Sequence, residues 1–222
     1  MLELTPDACR VLGTLIEKAQ TVPAQYPLTL NSIVSGTNQK NNRDPVVELD
    51  EERVLGALDS LRGLGLVHEV ILSGSRVPKY RHLSREVLGV NTSELVILAE
   101  LLLRGPQTVG ELRGRASRMH PLESLETVGN FLESLRGRER PLVEELPPIP
   151  GTRANRWRQL LCRELHPIDV PHHAPAPSPG AAPPPPASPI AAQTNDRLEE
   201  LERRLGELAS RVEAIERAGG PL

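Results

Sequence analysis

The sequence predicts a mainly α-helical chain with small β-hairpins (an α+β fold), laid out as two tandem domains, a proline-rich linker and a C-terminal helix. Three observations predict this. The first is an internal repeat. Leu58-Asp59-Ser60-Leu61-Arg62-Gly63 recurs as Leu132-Glu133-Ser134-Leu135-Arg136-Gly137 at an offset of 74, and Val54 recurs as Val128 at the same offset. Lys79-Tyr80-Arg81-His82-Leu83 parallels Arg156-Trp157-Arg158-Gln159-Leu160 at 77, and Thr29-Leu30-Asn31-Ser32-Ile33 parallels Thr108-Val109-Gly110-Glu111-Leu112 at 79. The drifting offset places small insertions in loops. A unit of this size is a small domain rather than a solenoid repeat. The second observation is a composition shift. Residues 167–194 hold 10 of the 22 prolines, whereas residues 1–166 are globular in composition and residues 195–217 are charged and periodic. The third is the scarcity of aromatics: Tyr26, Tyr80, Phe131 and Trp157 are the whole set. A β-sandwich or a base-stacking sheet would need more.

The first unit, residues 1–84, reads helix, helix, helix, hairpin. Thr5 caps a helix with Pro6 at its first position, and Leu4 staples the entry. Val11, Leu12, Leu15, Ile16 and Ala19 form its apolar stripe. Thr29 caps a short second helix carrying Leu30, Ile33 and Val34. Asp50 caps a third, with Glu51 and Glu52 at its positive end and Val54, Leu55, Leu58 and Leu61 as its buried stripe. Gly63 or Gly65 ends it. Leu66–Leu72 and Lys79–Leu83 pair as a hairpin around the turn Ser73–Pro78. The second unit, residues 85–166, repeats the order. Its helices run near Thr92–Arg104, from Thr108, and over about Leu122–Arg136, and its hairpin pairs Leu142–Leu146 with Ala154–Leu161. Three helices followed by a β-hairpin is the order of a winged helix, a helix-turn-helix variant whose hairpin is the wing. Two tandem winged-helix domains are therefore expected.

Tyr26-Pro27-Leu28, the polar run Asn38-Gln39-Lys40-Asn41-Asn42-Arg43-Asp44-Pro45-Val46, and Leu101-Leu102-Leu103-Arg104-Gly105-Pro106-Gln107-Thr108 followed by Gly110-Glu111-Leu112-Arg113 resemble the YceH-like family of bacterial proteins of unassigned function. The resemblance covers roughly residues 1–163. It implies two winged-helix domains and supplies no activity, substrate or catalytic residue. Asn41 stands where the family usually carries a small hydroxyl residue.

Candidate nucleic-acid contacts fall in three places. The hairpins share a basic-aromatic-basic pattern, Lys79-Tyr80-Arg81 and Arg156-Trp157-Arg158, with Arg76 and Arg153 near the turns. Strand periodicity puts the cations on one face and the aromatic on the other. Tyr80 and Trp157 are expected to close the core, leaving the cations for a phosphate backbone or for solvent. The loop residues Gln39, Lys40, Asn42 and Arg43 offer amides for base edges and cations for phosphates. Arg113 and Arg115, with Arg118, fan out from the second helix of the second unit, over a buried stripe of Leu112, Ala116 and Met119. Against simple groove reading, Asp50, Glu51, Glu52, Glu123 and Glu126 sit at the N-terminal ends of the third helices. Like charges there repel phosphates by about 1 kcal/mol per pair at 4 Å even in bulk water.

Residues 167–194 form a semi-extended linker that reaches on the order of 85 Å when stretched. Beyond it, in residues 195–222, Leu198, Leu201, Leu205, Leu208, Val212 and Ile215 follow the a/d spacing of a coiled coil. Arg197 then faces Glu202 and Arg211 faces Glu216 of a parallel partner, so the charges select a parallel homodimer. Under three heptads is marginal alone.

Composition bounds the function. A net charge of −3, with 26 Lys+Arg against 29 Asp+Glu, excludes a globally basic histone-like or polybasic membrane protein. Neither unit is basic overall: residues 1–84 carry 9 cations and 10 anions, residues 85–166 carry 12 and 11. DNA binding therefore requires the charge to be segregated on one face. Cys9 and Cys162 give no disulfide framework and fit a reducing cytoplasm. Leu95–Leu103, the longest apolar stretch, is nine residues broken by Glu100, too short to span a bilayer. No signal peptide is seen. Cys162, His166, His172 and His173 make no credible metal site, and no catalytic motif is present, so neither an enzyme nor a cofactor is expected. The expected function is that of a cytoplasmic, non-enzymatic regulator that binds double-stranded DNA. The alternative is an adaptor that binds a protein partner through its third helices.

Overall fold

The computed structural model describes residues 2–71 and 77–168. The expected coiled-coil residues, Leu198 to Ile215, and the linker lie outside the described residues, as does Arg76. Among the described residues there are seven α-helices and two small antiparallel sheets.

Helix α1 spans Pro6–Thr21; Thr5 Oγ1 accepts from Ala8 N at 3.2 Å, as its side chain and the following proline predict. Strand β1, Leu28–Thr29, leads into α2, Leu30–Thr37, which Thr29 caps. Asp50 caps α3, Glu51–Gly63, through Arg53 N at 2.8 Å, and Gly65 turns out of it at φ +72°. Strands β2, Val67–Val70, and β3, Lys79–His82, form the hairpin, and β1 pairs on the far side of β3. A short α4, Ser84–Leu88, follows. The second repeat runs through α5 (Thr92–Arg104), β4 (Gln107–Thr108), α6 (Val109–Ala116), α7 (Leu125–Arg136), β5 (Val143–Leu146) and β6 (Arg156–Gln159), again with the edge strand β4 beside β6. Helix α7 begins at Leu125 rather than near Leu122, because the Ser124 hydroxyl accepts from Thr127 N and fixes the start.

Residues 2–168 belong to one compact unit. Its centre is the pair α1 and α5, each buried without a break over ten residues, Ala8–Glu17 and Glu94–Leu103. A helix buried on all sides sits inside a domain rather than on its surface. The two helices approach closely at Gly13, where a Cβ would stand 3.0 Å from the Leu103 side chain. Tyr80 and Trp157 belong to this core, 6% and 4% exposed. Arg62 and Arg136 pair with Glu69 and Glu145 beside them, and Arg136 lies 5.5 Å over the Trp157 ring. Cys9 and Cys162 are buried free thiols, one on α1 and one after β6. Among the described residues, no helix is long and apolar enough to cross a membrane.

Candidate functional site

The buried stretch of α1 carries Arg10, Thr14 and Glu17 inward, and α5 carries Glu100. Charges there require partners, because the penalty for leaving water is several kcal/mol per ion. The partners come from the loop between α2 and α3 and from the segment that follows α6. Arg43 turns into the protein, with its side chain 0% exposed. It donates through Nη2 to Glu17 Oε2 at 2.6 Å and to Gly36 O at 2.8 Å, and through Nη1 to Asn42 O at 2.8 Å. Arg118 bridges the two buried carboxylates, 2.7 Å from Glu17 Oε1 and 3.2 Å from Glu100 Oε2. Lys18 lies 3.8 Å from Glu17 and donates to Gln39 Oε1 at 3.2 Å. Burial alone would raise the Glu17 pKa, but Arg43 and Arg118 bring it below the usual carboxylate value.

The same loop is tied to both repeats. Asn38 closes its neck by two 2.8 Å bonds with the Leu49 backbone. Asp44 N donates to Leu103 O at 2.9 Å, and Arg10 Nη2 to Pro45 O at 2.6 Å. Arg10 is 1% exposed, and its Nε and Nη1 have no hydrogen-bond partner. Burial, then the nearby Arg43, lowers its pKa to about 10. His166 Nε2 lies 2.6 Å from Asp44 O, and burial lowers its pKa to about 4, so it is neutral at pH 7. Its ring packs on Gly105, whose φ of +74° and lack of a Cβ both permit the contact. Asn42 sits in the left-handed region at φ 60°, and its Oδ1 accepts from Arg104. Arg104 Nε lies 3.2 Å from Glu100 Oε1, and Arg115 Nη1 donates to Gln107 Oε1 at 2.8 Å. Between these groups opens a cleft of about 560 Å³ whose lining includes Lys40, Asn42, Asp44, Arg104 and Arg115.

The expected contacts are therefore sorted. Arg43 is corrected: it is a buried structural cation, not a surface contact, because it is drawn inside to pair with Glu17 on α1. Gln39 is spent on Lys18 and, at 3.4 Å, Arg43. Lys40 is exposed and makes no hydrogen bond or ion pair. Arg113 donates to Glu123 O at 3.0 Å and Arg115 pairs with Glu111 at 3.2 Å, while Arg118 points inward rather than fanning out. On the hairpins, Arg158 is paired with Glu144 across the strands, and the Arg156 Nε is buried. The side chains of Lys79, Arg81 and Arg153 make no hydrogen bond or ion pair. Arg81 and Arg153 are exposed, whereas Lys79 is half-buried. Sequence reasoning missed Glu17, Glu100, Arg10 and Arg104. The signal for them was a polar residue interrupting an apolar run, which in a buried helix means an internal partner.

The family described as "Protein of unknown function, DUF480" matches residues 4–152. A UPF0502 protein of Burkholderia ambifaria (strain MC40-6) is 47% identical over 167 residues, covering 75% of this chain and 70% of the relative. One from Dechloromonas aromatica (strain RCB) is 49% identical over 169 residues, covering 74% and 78%. A third, from Burkholderia orbicola (strain MC0-3), is 42% identical over 213 residues, covering 96% and 86%. The chain belongs to DUF480, the family of bacterial UPF0502 proteins of unknown function.

Proposed function

We propose that this protein is a non-enzymatic, tandem winged-helix regulator that binds the backbone of double-stranded DNA, chiefly through the hairpin of its first repeat. The observation that carries the reading is Arg81. It is exposed on the outer face of β3, makes no ion pair, and faces His68 rather than a carboxylate on β2. A hairpin cation of this kind can replace a counterion on a phosphate, the main source of sequence-independent affinity. The element order supports the winged-helix assignment: helix, short strand, two helices and a hairpin, with the short strand pairing beside the last, twice over. In this reading the C-terminal helix joins two chains as a parallel coiled coil, and tethered weak sites gain through effective concentration.

The test is fluorescence anisotropy with a random labelled duplex at about 50 and 200 mM salt. Salt-dependent binding that weakens in Arg81→Ala supports the reading. No binding at the lower salt overturns it.

One observation favours a second reading. The third helices expose apolar side chains beside carboxylates: Leu55 and Leu64 at 39% on and after α3, and Leu125 at 54% on α7, near Glu52, Asp59 and Glu126. Such faces suit a protein partner better than a phosphate backbone, and an adaptor would use them. Capture of a partner by residues 1–166, lost on Leu55→Asp, would establish that role.

A further inference from the structure

The cleft between the α2–α3 loop and the ends of α5 and α6 is cationic, recessed and shared by both repeats. We infer that it binds a small phosphorylated ligand, an anion of nucleotide size, independently of any DNA contact.

The charge balance comes first. The two buried carboxylates beneath the cleft are already consumed. Glu17 holds Arg43 and Arg118, and Glu100 holds Arg104 and Arg118. Glu111 holds Arg115. Asp44 is the one carboxylate of the lining itself, against Lys40, Arg43, Arg104 and Arg115. Arg10 and Lys18 add further positive charge close behind, and both feel the charge of Arg43. An excess of cations held in a concave, partly dry site is a stored repulsion, and a bound anion relieves it.

Donors then remain for such an anion. Lys40 Nζ makes no hydrogen bond or ion pair. The Asn42 Oδ1 is taken by Arg104, which leaves its amide NH2 with both hydrogens to give. Arg104 and Arg115 line the cleft beside them. Guanidinium groups in this setting form the strong, charge-assisted bonds that phosphate oxygens accept.

Shape selects a small ligand over a duplex. The three arginines of the cleft are set back behind the exposed Lys40: the side chains of Arg43, Arg104 and Arg115 are 0%, 22% and 38% exposed. A duplex backbone is reached by side chains that protrude, whereas recessed groups are reached by a ligand that enters. A volume of about 560 Å³ lies within the range of small-molecule sites. The walls come from both repeats, with Lys40 and Asn42 from the first and Arg104 and Arg115 from the second. A bound anion would therefore fasten the α2–α3 loop to α5 and α6.

The experiment is calorimetric titration of the full chain with ADP and with inorganic pyrophosphate at low salt. Both probes are expected to bind once per chain. Lys40→Glu is expected to weaken each by about tenfold or more. Because Lys40 is exposed and unpaired, its unliganded Tm stays at the wild-type value. Arg115→Gln gives a second, smaller loss, and Arg81→Ala leaves both affinities unchanged, which separates this site from the hairpin. Absence of heat with both probes overturns the inference, as does unchanged affinity in Lys40→Glu. Displacement of ADP by random duplex DNA, with both ligands lost in Lys40→Glu, also overturns it and gives the cleft to the DNA backbone.

Discussion

In the first repeat His68 stands across the hairpin from Arg81; in the second, Glu144 occupies that place opposite Arg158. The rest of the two hairpins matches closely. Tyr80 and Trp157 are both buried, and Arg62 and Arg136 both pair with the carboxylate next along the strand. One difference, an imidazole side chain against a carboxylate, leaves the first hairpin with an unpaired outward cation and neutralises the second within its own sheet. Duplicated architecture therefore does not carry duplicated electrostatics. The loops before the third helices diverge in the same way. The first repeat spends a long loop to bring Arg43 to Glu17, whereas residues 117–124 of the second span the gap directly, with Arg118 bridging from their start.

The largest expected effect breaks this second contrast. Arg43→Ala removes the fully buried partner of Glu17 and leaves it the partly exposed Arg118 and Lys18, and loss of one member of a buried pair costs about 3–5 kcal/mol. Urea unfolding should show a large fall in midpoint. Arg118→Ala should cost clearly less, because its side chain is 30% exposed and Glu17 keeps Arg43. A loss from Arg118→Ala that equals the loss from Arg43→Ala would contradict the assignment of Glu17 to the loop.

Next in size is the contact between the repeats. Gly13→Ala places a methyl 3.0 Å from Leu103 and should cost about 1–3 kcal/mol through overpacking. Gly129→Ala on the exposed side of α7, where nothing lies within 4 Å, should be neutral or mildly stabilising. Equal thermal shifts for the two would show that α1 and α5 do not meet closely.

Acid stability sharpens the comparison further. His82 ends the first hairpin where Gln159 stands in the second, and burial lowers its pKa from 6.5 to about 4. His166 behaves alike. Both are depressed in the folded state, so between pH 6.5 and about 4 the unfolded chain binds more protons, and stability falls as pH falls through that window. Glu17, also depressed, adds a loss that begins only as pH drops below its unfolded value of 4.5. His82→Gln should flatten the slope between pH 6.5 and 4 by one group's share. An unchanged slope would place His82 in solvent.

Much of the fold was legible because local chemistry and tertiary packing agree. Thr5, Thr29, Asp50 and Thr108 cap the helices their side chains predict, and the apolar stripe of α1 is buried up to a half-buried Ala19, whereas Leu55 of the expected α3 stripe is exposed. The two-residue strands β1 and β4 were not legible, since nothing in Leu28-Thr29 or Gln107-Thr108 marks pairing with a strand some 50 residues on. The site was half legible. The loop Gln39–Arg43 drew notice by its polarity, and that polarity misled at Arg43. Composition reports that a cation is present, not whether a distant Glu17 will draw it inside. The same holds for Arg158, whose pairing depends on register with Glu144 rather than on its own neighbours.

The smallest effects in free energy bear most directly on the central claim, that the first hairpin carries DNA contact and the second does not. The decisive measurement exchanges the residues that distinguish them. Binding of a random duplex by His68→Glu and by Glu144→His is followed by anisotropy across a salt series. The account predicts that His68→Glu weakens binding and lowers the salt slope by about one, as loss of a phosphate contact does, while Glu144→His strengthens binding. Binding unchanged by both exchanges, or absent from the wild type at low salt, would contradict it.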